Sequence, residues 1–438
     1  MPVVAVVGAQ WGDEGKGRIV DYLAADADLV VRYGGGNNAG HTVVNPRGHF
    51  KLHLVPSGIF HSGVANLIGN GVVLNPPALL RELDELDGAG INTSSLYISD
   101  RAHLVMPYHV LVDRLEERER GDARLGTTSR GIGPAYVDKV ARRGLRVVDL
   151  MDADVFRARL EVAVGRVRRT VSVLWDADRD PDPALASDVA RATDVDGVAD
   201  AYLAAGERLR GRVVDGQRMV DEALTAGRRV LLEGQLGTMR DLDWGVYPYV
   251  TSSSPIPGGA SLGAGLPAVA IDRVIGVAKA YTTAVGAGPL PTELTGPDGE
   301  SLRERGEEYG TSTGRPRRCG WYDAVAVRYS VRLAGYSSIA LTKLDVLDRV
   351  DRIPVCVAYN DPETGERLDT IPASDRRYAR LEPVYEELPG WRSETSRARS
   401  WNDLPAEARR YVERVEKLAG VAISHVSVGP HREQMIVR

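Results

Sequence analysis

Short apolar runs alternate with stretches of helical spacing through most of the chain. They fall at Val3–Val7, Leu52–Val55, Asn66–Leu74, Leu96–Ser99, Val230–Glu233, Ala268–Val277, Ile339–Leu344, Val355–Tyr359 and Ala422–Val428. Unbroken apolar runs suit strands covered on both faces by connecting helices. The alternation predicts an α/β fold around a large, mostly parallel central sheet flanked by helices. Arg101–Gly121 predicts a helix with Leu111, Val112 and Leu115 on its apolar face, and the charge run Glu116–Arg120 at its end is a solvated face. Asp152–Gly227 breaks the rhythm. Rich in Ala, Val, Arg and Asp and lacking strand-like runs, it keeps helical spacing over Val155–Leu174 and Gly211–Ala226, with Asp176–Asp182 (DADRDPD) as a loop between helices. No Pro/Ser/Gly-rich linker divides the chain and no internal repeat is evident. One large domain over residues 1–438 is expected, carrying a helical subdomain at 152–227.

Composition excludes several classes of function. With 438 residues, 43% hydrophobic content and a formal net charge of -5, the chain is expected to be soluble, with a large core. No apolar run approaches a membrane span and the N-terminus carries no secretory pattern, so no membrane partner and a cytoplasmic location are expected. Mild acidity gives no electrostatic reason to expect nucleic-acid binding. Cys319 and Cys356 have neither metal-ligand spacing nor a disulfide framework, which fits a reducing compartment. Basic charge is almost wholly arginine, the lysines being Lys16, Lys51, Lys139, Lys279, Lys343 and Lys417. In such a chain a retained lysine marks a place for a compact ammonium, most persuasively at Lys16 and Lys343, whereas Lys51 and Lys417 are as readily explained by codon bias.

The candidate chemistry starts at Val3–Thr42, VVAVVGAQWGDEGKGRIVDYLAADADLVVRYGGGNNAGHT. An apolar strand turns through a glycine-rich loop into a helix from about Gly15, with Ile19, Val20 and Leu23 on one face. That geometry aims backbone N–H groups and a helix N-terminus at phosphate. The common phosphate-loop pattern would place glycine at Gln10 and a hydroxyl at Gly17. Here Gly15-Lys16 keeps the close backbone approach and the point charge, and Asp13 becomes the candidate oxygen ligand for Mg2+. A second loop, Gly34–Thr42, offers Asn37, Asn38, Gly40 and His41. A carboxylate and an imidazole at successive strand ends suit base and acid on one substrate. Farther on, Thr127 and Thr128 beside a glycine suit phosphate, with Arg142 and Arg143 as anion partners.

GDEGKG and NNAGHT are followed in order by GTTSRGIGPAYVDKVARRGLRV, YPYVTSS, TGRPRRCGW, TKLDVLD and SVGPHRE. This set, spread from Val3 to the C-terminus, resembles the adenylosuccinate synthetase family of purine biosynthesis. The resemblance implies a P-loop-like GTP-binding fold with a helical insertion. It also implies a Mg2+- and GTP-dependent ligase that joins L-aspartate to C6 of IMP through a 6-phosphoryl intermediate, giving adenylosuccinate, GDP and phosphate. In that scheme Asp13 takes the N1 proton, His41 stabilises or protonates the oxygens, and Lys16 acts on the transferred phosphoryl group. GTP is implied to contact Gly12, Asp13, Glu14, Gly15, Lys16, Gly17, Arg18, Gly40, His41, Thr42 and Arg317, with Lys343, Leu344 and Asp345 on one side of the guanine and Ser427, Val428 and Gly429 on the other. IMP is assigned Asn38, Ala39, Thr128, Gln235, Leu236, Thr251 and Arg315, plus Arg142 reaching across a homodimer. Aspartate is assigned Thr311, Ser312, Thr313, Gly314 and Arg315, and the metal Asp13 and the Gly40 carbonyl.

The chain departs from the family pattern at named positions. Ser129 replaces a glycine, Ala284 an arginine and His431 an aspartate. After Glu233 the family shows E-G-A-Q-G where this chain has E-G-Q-L-G, so the base-contacting glutamine becomes Leu236, and a histidine, threonine and asparagine become Trp244, Val246 and Ser254. Losing a base-directed amide costs about 1 to 3 kcal/mol where a buried polar group is left unpaired. Either Gln235 swings in from one residue earlier, or the base differs from hypoxanthine and the same chemistry serves an IMP-like nucleotide in a specialised pathway. A catalytically silent nucleotide-binding regulator is a third reading, opposed by the joint retention of Asp13, Lys16, His41 and Arg315.

Overall fold

A computed structural model describes residues 3–178, 180–310 and 314–438. One sheet of ten strands runs through it: β1 (Val3–Gly8), β2 (Leu29–Arg32), β3 (Ala65–Ile68), β4 (Leu96–Ser99), β5 (Val213–Val214), β6 (Val230–Glu233), β7 (Ile271–Lys279), β8 (Ser338–Thr342), β9 (Ile423–Ser427) and β10 (Met435–Val437). Their spatial order is β10-β9-β8-β7-β1-β6-β2-β3-β4-β5. All pairings are parallel except β9 with β10. The expected α/β fold is therefore the observed one. β1 sits inside the sheet, and its period-2 alternation divides it between two cores: Val3, Ala5 and Val7 join one, while Val6 packs with Ile19, Val20 and Ala24 of the helix Lys16–Ala24.

Several predicted boundaries shift, each for an identifiable reason. The helix expected over Arg101–Gly121 spans Pro107–Glu119, because His103–Leu104 is drawn off to pair with Val73–Leu74 and proline then opens the helix. Of the run Leu52–Val55 only Leu52 is strand, closing a hairpin of His41–Asn45 with Gly48–Leu52. The N–H groups of His53, Leu54 and Val55 donate instead to the buried carboxylate of Glu82, at 2.8 to 3.2 Å, so the backbone is satisfied without a neighbouring strand. Val355–Tyr359 lies within Arg352–Asn360, which belongs to a separate small sheet and pairs antiparallel with Glu382–Pro389.

The segment 152–227 contributes the helices Ala153–Leu174, Pro183–Thr193, Val195–Leu209 and Gly216–Thr225. It is not wholly helical, since Val213–Val214 forms the edge strand β5 against β4, and the helix expected from Gly211 starts at Gly216 with Asp215 as its cap. Phe156, Leu160, Val164 and Tyr202 share one core with Ile68, Leu96 and Ile98, so the insertion packs on the far end of the sheet. Among the described residues no helix is long and apolar enough to cross a membrane.

Candidate active site

The loops after β1, β2, β6, β8 and β9 contribute to one cleft at the carboxyl ends of the parallel strands, where a doubly wound sheet opens a crevice. Its volume is about 1130 Å³. A site for a single small ligand spans about 300–1,000 Å³, so there is room for more than one substrate.

The loop after β1 gets its shape from three residues in the left-handed region, Gly12 (φ 102), Asp13 (φ 59) and Gly15 (φ 89). Two adjacent carboxylates then meet opposite fates. Glu14 is fully buried beneath the loop, where it accepts from the N–H groups of Gln10 at 3.0 Å and Gly12 at 2.8 Å and from the ammonium of Lys16. Asp13 projects into the cleft, with Oδ2 lying 2.9 Å from Arg317 Nε as an ion pair. Lys16, tied down by Glu14, also lines the cleft.

His41 follows the loop after β2, as the first residue of the hairpin strand His41–Asn45. Its Nδ1 is bound to the carboxylate of Glu233 at the end of β6, which also accepts from the Ser57 N–H at 2.8 Å and the Ser57 hydroxyl at 2.7 Å. Burial alone would raise the Glu233 carboxyl, but the donors from His41 and Ser57 outweigh it and hold the group below its ordinary value. With Nδ1–H committed to this carboxylate, Nε2 is the nitrogen left for chemistry. Gly17 explains itself here: a Cβ on it would lie 2.7 Å from the Cβ of His41. The position that carries a hydroxyl in the common phosphate loop is the one the imidazole packs against.

At the other end Asp345 lines the cleft with its buried Oδ1 unpartnered, and burial raises its carboxyl while Arg18 opposes the shift. A buried acceptor without a donor suits the N–H groups of a purine edge. Arg18 reaches the Ser427 hydroxyl and the Gly429 carbonyl. Lys343 precedes Asp345 and donates to Glu308 at 2.9 Å.

Most residues singled out from the sequence line this one cleft: Gly12, Asp13, Gly15, Lys16, Gly17, Arg18, Asn38, Ala39, Gly40, His41, Thr42, Thr128, Leu236, Thr251, Gly314, Arg315, Arg317, Lys343, Asp345 and Gly429. Glu14, Leu344, Ser427 and Val428 are buried behind it, and Arg142 is exposed at the end of the helix Ile132–Val140. Thr311, Ser312 and Thr313 lie outside the described residues.

The loop after β6 places its departures from the family pattern unequally. Gln235 does not swing into the cleft; it is buried against Gly35, its Oε1 accepting from Arg32 at 3.4 Å, and a Cβ on Gly35 would fall 1.3 Å from its Nε2. Leu236 faces the cleft instead. The other three departures do not line it: Val246 is packed with Trp11 and Met239, Ser254 donates to Asp241 at 2.5 Å, and half-exposed Trp244 offers its carbonyl to the Tyr329 hydroxyl. Of the four departures in this loop, only Leu236 therefore stands at the site. Beside Ala284, where the family arginine is missing, Arg240 from this same loop donates to the carbonyls of Tyr249 and Val285 and lines the cleft. Burial lowers its guanidinium to about 10. Sequence reasoning missed Arg240, Glu233 and Glu308. Glu233 left a trace as the one charge closing the run Val230–Glu233, whereas nothing distinguishes Glu308 from Glu307 beside it.

Residues 5–436 match the sequence model of the family described as adenylosuccinate synthetase. The adenylosuccinate synthetase of Moorella thermoacetica is 51% identical over 437 residues, covering 100% of this chain and 99% of its own. That of Heliobacterium modesticaldum is 50% identical over 436 residues with the same coverage. Among solved structures, fully ligated adenylosuccinate synthetase from Plasmodium falciparum superposes with a TM-score of 0.91 at 35% identity, over 100% of both chains. Nothing in these matches favours an analogue-specific enzyme or a silent regulator. The chain belongs to the adenylosuccinate synthetase family, the GTP-dependent ligases that join aspartate to IMP.

Proposed function

We propose that the ligation of IMP and aspartate is carried by Asp13, His41 and Lys16 at one end of the cleft. Asp13 accepts the N1 proton of IMP as O6 attacks the γ-phosphorus of GTP and GDP leaves with the bridging oxygen, His41 steadies the oxygens through Nε2, and Lys16 with the loop N–H groups offsets charge on the phosphoryl group. The amine of aspartate then adds at C6, loses its proton and displaces the 6-phosphate as inorganic phosphate. The observation that carries this is the division of the Asp13-Glu14 pair: one carboxylate is consumed in holding the loop, and the other is left facing the cleft. GTP lies along the loop after β1 toward Asp345, with Arg18, Arg317, Lys343 and Gly429 around it. IMP takes Asn38, Ala39, Thr128, Leu236, Thr251 and Arg315, while aspartate takes Gly314 and Arg315.

Mg2+ fits this donor set. Among the described residues no group of three His, Cys, Asp or Glu side chains forms a cage. Mg2+ commonly takes one carboxylate plus substrate phosphates, which Asp13 and the Gly40 carbonyl would complete. Bound there, it would neutralise charge on the triphosphate. The working form is a homodimer in the cytoplasm with Arg142 supplied across the interface; the exposure of Arg142, and of Val137 and Val140 on the helix before it, supports that interface. The test is phosphate release with GTP, Mg2+, IMP and aspartate. Asp13→Asn keeps the shape of the side chain, and kcat is expected to fall about a thousandfold. A loss below tenfold would remove Asp13 as the base.

A further inference from the structure

Under the cleft, where the ends of β7 and β8 meet Glu308 and Arg317, one carboxylate serves three cations. Glu308 is fully buried and accepts from Lys279 Nζ at 2.7 and 2.8 Å, Arg317 Nη1 at 2.6 Å, Lys343 Nζ at 2.9 Å and the Tyr281 hydroxyl. Burial alone would raise this carboxyl, but Lys279, Lys343 and Arg317 hold it well below the carboxylate range. Lys279 stays in the interior, with Thr283 Oγ1 at 2.7 Å as its remaining partner. The other two cations leave in different directions. Arg317 turns Nε toward Asp13 at 2.9 Å, at the phosphoryl-transfer end, and Lys343 stands two residues before Asp345, at the far end.

Buried ion pairs are a poor source of stability, since desolvation consumes most of the attraction, and an apolar cluster would hold these elements as well. What an apolar cluster would not do is fix two cationic side chains that line the cleft. We propose that Glu308 is a positioning residue that sets Arg317 and Lys343 from one anchor, keeping the two ends of the GTP site in register. This rests on the assignment of Arg317 and Lys343 to GTP above.

The experiment is Glu308→Gln in the full-length protein, with initial rates measured as each substrate is varied. KM for GTP is expected to rise about tenfold while KM for IMP stays within about twofold. An equal rise in both, or no change in KM for GTP, overturns the proposal. Tyr281→Phe removes one donor and leaves the charge. It is expected to raise KM for GTP about two- to threefold, and it decides the matter if the first variant does not fold. Lys343→Met separates the two layers. If it raises KM for GTP while Glu308→Gln does not, the GTP assignment stands and the anchor falls; if it changes nothing, the assignment falls and the proposal with it.

Discussion

The loop after β1 and the loop after β6 touch, with Leu236 Cδ2 lying 3.6 Å from where a Cβ on Gly12 would stand, yet they are built in opposite ways. The first is shaped locally. Glycine supplies the left-handed turns at Gly12 and Gly15, and Glu14 closes the loop on N–H groups two and four residues away. The second is shaped from a distance. Leu236 takes φ 54 without being glycine, Gln235 is spent on Gly35 and Arg32, and Arg240 is tied to Tyr249 and Val285. A locally determined loop tolerates changes elsewhere but not in its own glycines. A remotely determined one drifts in sequence while its partners keep its course.

That contrast is broken most sharply at Gly17, the point where the local loop makes a close long-range approach. Gly17→Ala forces a Cβ to within 2.7 Å of the His41 Cβ at a helical position that otherwise favours alanine. Displacing the imidazole by an ångström is expected to cost about a hundredfold in kcat, with KM for GTP changed far less. Steady-state kinetics beside a thermal melt separate this from unfolding. Unchanged kcat would show that the contact is slack and that the glycine serves the turn alone.

The same division explains what was legible in the sequence. β1, β4 and β6 were readable because a run of apolar residues is the whole requirement for a strand covered on both faces. The run Leu52–Val55 carried that signal but not the strand, because Glu82, some 30 residues on, captures its N–H groups. The phosphate loop was legible for the converse reason, its shape being written in adjacent residues. The roles of Glu233 and Glu308 depend on what the fold sets beside them, His41 for one and Lys279, Arg317 and Lys343 for the other; the charge ending an apolar run marks Glu233 as unusual without naming its partner, and nothing adjacent marks Glu308.

Asp323 combines both kinds of determination in one side chain. Locally it caps the helix Ala324–Ala334, accepting from the Ala326 N–H at 3.0 Å; remotely it is sealed beneath the Tyr359 hydroxyl at 2.5 Å. Burial is the largest influence and raises its carboxyl from 3.8 to about 6, against the pull of these donors. A raised carboxyl binds its proton more tightly in the folded chain. Its stabilising contribution is therefore fully present below about pH 3.8 and lost as pH rises through about 6. The loss amounts to about 2 to 3 kcal/mol. Denaturant melts from pH 4 to 7 are expected to show that slope in the wild type, and Asp323→Asn, which keeps an oxygen acceptor for the cap, is expected to flatten it. An equal slope in both would mean that the local cap alone governs the group.

The smallest expected effect is the one that bears most directly on the remotely shaped loop. Leu236 puts an aliphatic wall where the family places an amide, and Gln235 is turned away from the cleft. Leu236→Gln leaves φ and chain length nearly unchanged and offers IMP one hydrogen bond, a gain of about 1 kcal/mol. KM for IMP is expected to fall about fivefold with KM for GTP unmoved. Gln235→Ala is the matching control. It removes the packing against Gly35 and the contact with Arg32, so it is expected to lower thermal stability while leaving KM for IMP alone. If the two variants exchange effects, the loop has a second arrangement in which Gln235 reaches the base. The remote contacts would then be a resting position rather than the one that binds. If neither moves KM for IMP, the base is held elsewhere, and Arg240, the cation this loop brings to the cleft beside Ala284, is the next residue to change.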